Sequence, residues 1–284
     1  MTDITDFDCD YENKWCPGCG NFNILAAMKE ALAGMKLSPE NVLIVSGIGQ
    51  AGKTPHFLKC NFFHGLHGRA LPVATGAKLA NHKLTVLVSS GDGDCYGEGG
   101  NHFLAAVRRN IDITLLTHDN KVYGLTKGQS SPTSDMGFVT KMQRSGVISE
   151  PFNPLSVALS LGAGFVARGF SGEKAHLAGL IRAAVSHKGF SLVNILQPCV
   201  SFNHLNTNGW YKKRVVKVAE TGHDPADWNT AMHLSREWGD RIPIGIFFQK
   251  QGPSFTDRIA HLNEGPLVER TYDSAAVQAM LNGI

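Results

Sequence analysis

The sequence predicts an α/β fold: a doubly wound, mostly parallel sheet with helices on both faces and a C-terminal extension. Three observations predict it. Short apolar, β-branched runs recur along residues 10 to 200, stretches of helical periodicity separate them, and Gly, Asp and Asn gather just past the runs. Continuous apolar runs of this length read as strands buried on both faces, and their alternation with helices implies parallel pairing. Asn21 to Met35 reads as the first helix, with Ile24, Leu25, Met28, Leu32 and Met35 at helical spacing. Val42–Val45, Leu84–Val88, Ile113–Leu116, Phe165–Ala167 and Leu192–Leu196 read as strands. Asn101 to Arg109, Pro154 to Leu161 and Lys174 to His187 fit helices between them. No linker or repeat interrupts residues 10 to 200, and from about Phe202 the chain turns more polar. The expected organisation is one α/β domain over residues 1–205. Residues 206–284 are expected as an extension packed on that domain or on a partner.

The 284 residues, 43% of them hydrophobic, are enough for a large core. Charge is nearly balanced, 27 basic against 24 acidic side chains for a net of +3, and no basic run suggests nucleic acid. No apolar stretch has the length a bilayer requires, and the opening residues are polar and acidic, unlike a secretion signal. A soluble, cytoplasmic protein is expected. Six cysteines, Cys9, Cys16, Cys19, Cys60, Cys95 and Cys199, are then expected as thiols rather than disulfides. Cys16-Pro-Gly-Cys19 has a spacing suited to metal or iron–sulfur ligation, or to redox exchange.

In doubly wound sheets ligands bind at the carboxyl ends of the strands. Gly47-Ile-Gly49 follows the first strand, Gly91-Asp-Gly-Asp94 the second, and Asp119-Asn120 the third. Asp92 and Asn120 lie 28 residues apart, each just past a strand. A carboxylate and a neutral carbonyl oxygen, with a backbone carbonyl and diphosphate oxygens, could complete the octahedral shell of Mg²⁺. Gly91 and Gly93 would let backbone approach a phosphate, and a following helix N-terminus favours an anion. The plainer reading is two unrelated strand-to-helix turns capped by Asp and Asn.

Gly91-Asp92-Gly93 followed by Asn120 resembles the thiamine-diphosphate signature. The text around it resembles the β-subunits of 2-oxoacid:ferredoxin oxidoreductases. Trp15-Cys-Pro-Gly-Cys-Gly-Asn21, Ser46-Gly-Ile-Gly49, Gly52-Lys53, Leu66-His-Gly-Arg-Ala70 and Ala74-Thr-Gly76 carry the resemblance in the N-terminal half. His118-Asp-Asn120, Tyr123-Gly-Leu-Thr-Lys-Gly-Gln129, Leu196-Gln-Pro-Cys199 and Trp238-Gly-Asp-Arg-Ile-Pro-Ile-Gly-Ile246 continue it in the family's order. The resemblance implies the thiamine-diphosphate-binding fold, with Asp92, Asn120 and the carbonyl of Val122 as Mg²⁺ ligands. Ile48, Gly49, His67, Gly93, Asp94, Gly124 and Leu125 fall where the family contacts the cofactor, with His67 as donor to a diphosphate oxygen. Taken alone, His67 would read as a buried structural histidine. Lys53 and Lys127 take positions facing the substrate, where a cation would meet the 2-oxoacid carboxylate. Outside that context both read as solvated loop lysines.

The family holds a [4Fe–4S] cluster on four cysteines. Cys16, Cys19 and Cys199 match three of them, but the fourth position, directly after Gly-Ile-Gly, holds Gln50. Cys60, ten residues on, is the expected substitute. An ordinary buried thiol at Cys60, a non-cysteine fourth ligand and the absence of a stable cluster stay open. The implied activity is coenzyme A-dependent oxidative decarboxylation of a 2-oxoacid, passing electrons through the cluster to ferredoxin. The text around Leu66 is closest to 2-oxoglutarate-type members, with pyruvate next. No Glu here has the context to activate the cofactor, so an α-subunit is expected to supply it, in an α₂β₂ assembly. The alternatives are a subunit of a non-oxidative thiamine enzyme, or a non-catalytic subunit that has lost electron transfer.

Overall fold

The computed structural model describes residues 2–283. Its strands are β1 (Val42–Ser46), β2 (Asn61–His64), β3 (Thr85–Gly91), β4 (Thr114–Asp119), β5 (Val122–Tyr123), β6 (Gln129–Ser130), β7 (Phe165–Phe170), β8 (Ser191–Leu196), β9 (Val215–Lys217) and β10 (Ile242–Gln249). Its α-helices are α1 (Asn21–Gly34), α2 (Ala70–Ala80), α3 (Gly100–Arg109), α4 (Pro154–Ser160), α5 (Lys174–Ser186), α6 (Asn208–Lys212), α7 (Trp228–Ser235) and α8 (Ser274–Asn282). Eight strands form one sheet in the order β2-β1-β3-β4-β8-β7-β10-β9, and β5 and β6 form a separate antiparallel pair. Every pairing in the large sheet is parallel except that of β10 with β7.

Period-2 alternation sorts side chains into two cores, one on each face. Val45, Val88, Leu115, Val166 and Leu192 face one core with residues of α2, α3, α4 and α7. Their strand neighbours Ile44, Leu87, Leu116, Ala167 and Val193 face the other, with α1 and α5. Both faces are covered, so the strands carry no polar alternation, as parallel sheets require.

The five strands and four helices expected from sequence are present, with ends shifted by a few residues. Strands β2, β5, β6, β9 and β10 and helices α2, α6, α7 and α8 are additional to that expectation. Strands β9 and β10 fall within residues 206–284 and extend the main sheet beyond β7. Chain order positions the site: β2 lies on one side of β1 and β3 on the other. The crevice at the carboxyl ends of β1 and β3 therefore sits where strand order reverses, the usual ligand position in open α/β sheets. Among the described residues no helix is long and apolar enough to cross a membrane.

Candidate functional site

A cavity opens at that reversal. Ile48, Gly49, His67, Asp92, Gly93, Asp94, Asn120, Val122, Gly124 and Leu125 all line it, together with Gln50 and Tyr123. The sequence-expected cofactor and Mg²⁺ residues thus converge from the ends of β1, β3, β4 and β5. Lys53 and Lys127 are not in the lining. Lys53 lies half-buried in a 3₁₀ segment over Ala51–Phe57, and Lys127 is exposed in the β5–β6 turn at φ +67°.

Asp94 organises the loops. Its Oδ1 accepts from the backbone N–H of Ile48 (3.0 Å) and Gly68 (2.7 Å) and pairs with His67 Nδ1 (2.7 Å). Its Oδ2 accepts from Ser90 Oγ at 2.5 Å. One buried carboxylate therefore ties together the loops after β1, β2 and β3, with charge-assisted hydrogen bonds. Gly47 exists for this contact: a Cβ there would stand 2.1 Å from Asp94 Oδ2. The sequence places Asp94 at the cofactor. In the structure its side chain lines the cavity and also accepts hydrogen bonds from the loops around it.

His67 has its Nδ1 on a carboxylate, which can only accept. Nδ1 therefore carries the proton, and Nε2, 3.7 Å from Glu98, donates only in the doubly protonated ring. Tyr123 packs where a Gly93 Cβ would be, 2.3 Å from its ring, and its hydroxyl donates to the Gly93 carbonyl. Gly93 opens one turn of π-helix over Gly93–Glu98 before α3. Such turns are rare and recur at functional sites.

Asp92 is 1% exposed. Ser131 Oγ (2.5 Å) and Thr133 Oγ1 (2.6 Å) both reach its Oδ2, and Thr133 Oγ1 also lies 2.8 Å from Asp119 Oδ1. Burial first, and the Asp119 carboxylate second, hold Asp92 well above the ordinary carboxylate range. A buried carboxylate disfavoured by its surroundings is one that a cation would stabilise. Asn120 Oδ1 accepts from the Val122 N–H at 3.0 Å, which fixes the turn that puts both residues on the cavity. Carboxylate, carboxamide and backbone carbonyl are the hard oxygen donors Mg²⁺ takes, so the residues present fit that ion. Sequence reasoning placed Asp119 at the strand-end turn without a role, and missed Ser131 and Thr133. Ser131 and Thr133 come from the segment after β6, which carries no motif.

A second cavity adjoins the first. Cys16, Cys19, Cys199, Asn21, Gln197 and Ser201 line it, and Gln50, Asn120 and Gly124 line both. The Cys16–Cys19 loop is anchored from two sides. Trp15 Nε1 donates to the Gln50 carbonyl (2.9 Å), and buried His118 holds Asn21 Oδ1 (2.8 Å) at the start of α1. Ser201 Oγ donates to Cys16 Sγ and Gln197 Nε2 to Cys19 Sγ. Burial, and then the neighbouring Cys199 and Cys16, push the Cys19 thiol up to about 11. The three cysteines thus line one cavity wall, with Cys16 exposed and Cys19 and Cys199 half-buried. No three His, Cys, Asp or Glu side chains close on a single-ion site among the described residues. A cubane cluster binds each cysteine through a different iron, so its ligands stand further apart than those of one ion.

Cys60, expected as the fourth ligand, does not join them. It immediately precedes β2, whose first residue, Asn61, pairs with Leu43 near the start of β1. Gln50 and Cys199 lie past the carboxyl ends of β1 and β8. The length of β1, roughly 13–16 Å at about 3.3 Å per residue, separates Cys60 from them. Its thiol packs against the core under α1, and burial pushes it up to about 12. The ten-residue connection runs down the sheet to begin a parallel strand instead of folding back, which is why proximity in sequence misleads here.

Residues 44–195 match the family model described as thiamine pyrophosphate enzyme, C-terminal TPP binding domain. Residues 199–264 match the model for the C-terminal part of the pyruvate ferredoxin oxidoreductase beta subunit. A Sulfolobus 2-oxoacid:ferredoxin oxidoreductase subunit beta is 48% identical over 87% of this chain and 85% of its own length. The 2-oxoglutarate synthase subunit KorB of Methanocaldococcus jannaschii is 31% identical over 88% and 92%. A solved structure of 2-oxoglutarate:ferredoxin oxidoreductase from Magnetococcus marinus, with 2-oxoglutarate, coenzyme A and succinyl-CoA bound, superposes with a TM-score of 0.91. It shares 36% identity and covers 98% of this chain and 95% of that one. With the expected cofactor residues gathered at one strand-end cavity, and relatives that match along most of their length, this chain belongs to the β-subunits of the 2-oxoacid:ferredoxin oxidoreductases.

Proposed function

We propose that the chain holds thiamine diphosphate and Mg²⁺ for coenzyme A-dependent oxidative decarboxylation of a 2-oxoacid, 2-oxoglutarate first and pyruvate next. An adjoining [4Fe–4S] cluster passes the electrons on to ferredoxin. The observation that carries this reading is the pair of adjoining cavities. One is lined by Asp92, Asn120 and Val122, the other by Cys16, Cys19 and Cys199, and Gln50, Asn120 and Gly124 form the wall between them.

Bound there, thiamine diphosphate supplies the electron sink on which loss of CO₂ depends. The chain's own residues bind and orient. Asp92, Asn120 and the Val122 carbonyl would hold Mg²⁺. The loops after β1, β2 and β3, fixed by Asp94, present Ile48, Gly49, His67 and Gly93 to the diphosphate. Gly124 and Leu125 close the cavity from the β5–β6 turn. Lys53 and Lys127 follow the lining residues Ala51 and Thr126 closely in the chain, and from there would meet a substrate carboxylate. Replacing Lys53 with Ala removes one charge-assisted hydrogen bond, about 1.5–3 kcal/mol. It should lower kcat/KM roughly ten- to a hundredfold. Steady-state kinetics on the assembled enzyme checks this, and an unchanged value would put Lys53 outside the substrate site.

The α-subunit is expected to complete the cavity. The cavity in this chain is only about 110 Å³, whereas sites for ligands of this size run from roughly 300 to 1,000 Å³. Among the exposed large apolar side chains, Leu125 lies on the cavity lining, and Met136, Val139, Met142 and Ile148 lie together on the segment after β6. Such a group marks a partner surface. Helix α8 has no buried side chain, which suits packing of the end of residues 206–284 on that partner. The test is a 2-oxoacid panel on the co-purified complex with coenzyme A and a viologen dye. Dye reduction with 2-oxoglutarate is expected. Failure with every 2-oxoacid, or full turnover by this chain alone, would overturn the reading.

A further inference from the structure

The geometry points to Gln50 as the residue at the fourth corner of the cluster, its side-chain oxygen facing the iron that no cysteine of this chain reaches. The inference rests on the proposed cluster and adds to it the ligand that the thiols leave out. Gln50 lines the cavity of Cys16, Cys19 and Cys199 and lines the cofactor cavity as well. Its backbone is fixed by the Trp15 indole, so the side chain leaves a held point next to the cysteine loop. Its Oε1 is buried without a hydrogen-bond partner. A buried acceptor left unpaired costs about 1–3 kcal/mol, and native structures seldom keep one without a ligand or water to satisfy it.

The other polar side chains on this wall are less suited, and Asn120 Oδ1 already accepts from the Val122 N–H. Ser201 is already engaged, donating to Cys16 Sγ at 3.1 Å. Gln197 uses its amide nitrogen on Cys19 Sγ (3.4 Å) and on the Pro198 carbonyl (3.0 Å), although its own Oε1 is also unpartnered. Asn21 presents to the cavity an unpartnered Nδ2, which is a donor and cannot ligate, while its oxygen is held by His118. Gln50 alone brings an acceptor on an amide with no side-chain hydrogen bond among the described residues. Cys60 is excluded by its place at the far end of β1.

A carboxamide oxygen is neutral where a thiolate carries a full charge. The cluster would be one negative charge poorer than with four cysteines, and cluster charge is one of the determinants of reduction potential. A less negative cluster accepts an electron more readily, so its potential would lie above that of a four-thiolate version of the same site. Because Gln50 also lines the cofactor cavity, the altered corner is the one turned toward the cofactor.

The experiment compares the anaerobically co-purified α–β complex as wild type, Gln50→Ala, Gln50→Cys, Ser201→Ala and Gln197→Ala. Iron and acid-labile sulfide are measured, followed by EPR-monitored redox titration. Wild type should hold four irons per β-chain. Gln50→Ala should lose about one iron in four and show the three-iron EPR signal once oxidised by one electron in the titration. Gln50→Cys should restore four irons at a potential below that of wild type. The Ser201→Ala and Gln197→Ala proteins should keep wild-type iron. Wild-type iron, EPR and potential in Gln50→Ala would overturn the inference and leave the cluster standing, as would loss of the fourth iron in the Ser201 or Gln197 variant instead. No iron in the anaerobic wild type would overturn the cluster reading itself. If Gln50→Ala does not assemble, Gln50→Cys decides: a potential at or above that of wild type would overturn the inference.

Discussion

Asp92→Asn should abolish Mg²⁺-dependent binding of thiamine diphosphate while leaving the unliganded chain at least as stable as wild type. The two effects have one cause. Asp92 is buried with two hydroxyls and a second carboxylate, Asp119, for company. Without a cation that arrangement is unfavourable, which is why its pKa is raised. The sign follows from proton linkage. The folded chain holds this proton to a higher pH than the unfolded chain does. Folding stability from this site is therefore fully present below the unfolded value near 3.8 and is lost as pH rises towards neutrality. Asn carries no charge, keeps the shape and can still accept from Ser131 and Thr133, so that loss should vanish. Removing the only charged ligand proposed for Mg²⁺ leaves neutral oxygens that hold the ion far more weakly. Isothermal calorimetry on the assembled complex should show no binding heat for thiamine diphosphate plus Mg²⁺. Melting curves without ligand should show an unchanged or higher Tm, with a flatter dependence between about pH 4 and 7. Retained affinity would remove Asp92 from the ion. A lower unliganded Tm would show that the carboxylate stabilises the fold.

The opposite pattern is expected one loop away. Gly47→Ala should cost both the fold and the cofactor. The added methyl would occupy space held by the Asp94 carboxylate, with its nearest oxygen 2.1 Å away. Either the loop after β1 moves or Asp94 does, and Asp94 cannot move without releasing Ile48, Gly68, His67 and Ser90. Disrupting a buried charge with its partners in place typically costs about 3–5 kcal/mol. Chemical denaturation should register a loss of that size, and cofactor affinity should fall with it. Gly100→Ala is the matched control, because a Cβ there meets nothing within 4 Å and Ala suits the first turn of α3. A Gly47→Ala protein as stable as that control would show that Asp94 is not the anchor its geometry suggests.

The sequence made the central strands and their helices legible, because strands buried on both faces are unbroken apolar runs. What it hid has particular causes. Strand β10 contains Pro243, which donates no hydrogen bond and argues against a strand inside a sheet; its carbonyl instead accepts from Arg168. Helix α2 carries Pro72 and Gly76 within eleven residues, and Pro is tolerated there because it lies in the first turn. Strand β2 is exposed along its length and shows no core pattern. At the site, Asp92 and Asn120 could be found because each follows a strand at a Gly- or Asn-bearing turn. Ser131 and Thr133 could not, since a hydroxyl in a loop about forty residues from its carboxylate has no periodicity or spacing to betray it. Cys60 misled for the converse reason: nearness along the chain says nothing about which end of a strand a residue reaches.

The Asp94 contacts also bear on how tightly an anion can be taken up. Backbone left mobile at a binding loop loses about 1–2 kcal/mol of conformational freedom per residue when a ligand orders it, and that loss subtracts from affinity. Here the loops after β1, β2 and β3 are cross-linked through one carboxylate as the chain folds. These hydrogen bonds form within the chain itself, with no ligand contributing to them. A ligand that binds there has less backbone to order, so less of its binding free energy is lost to conformational entropy.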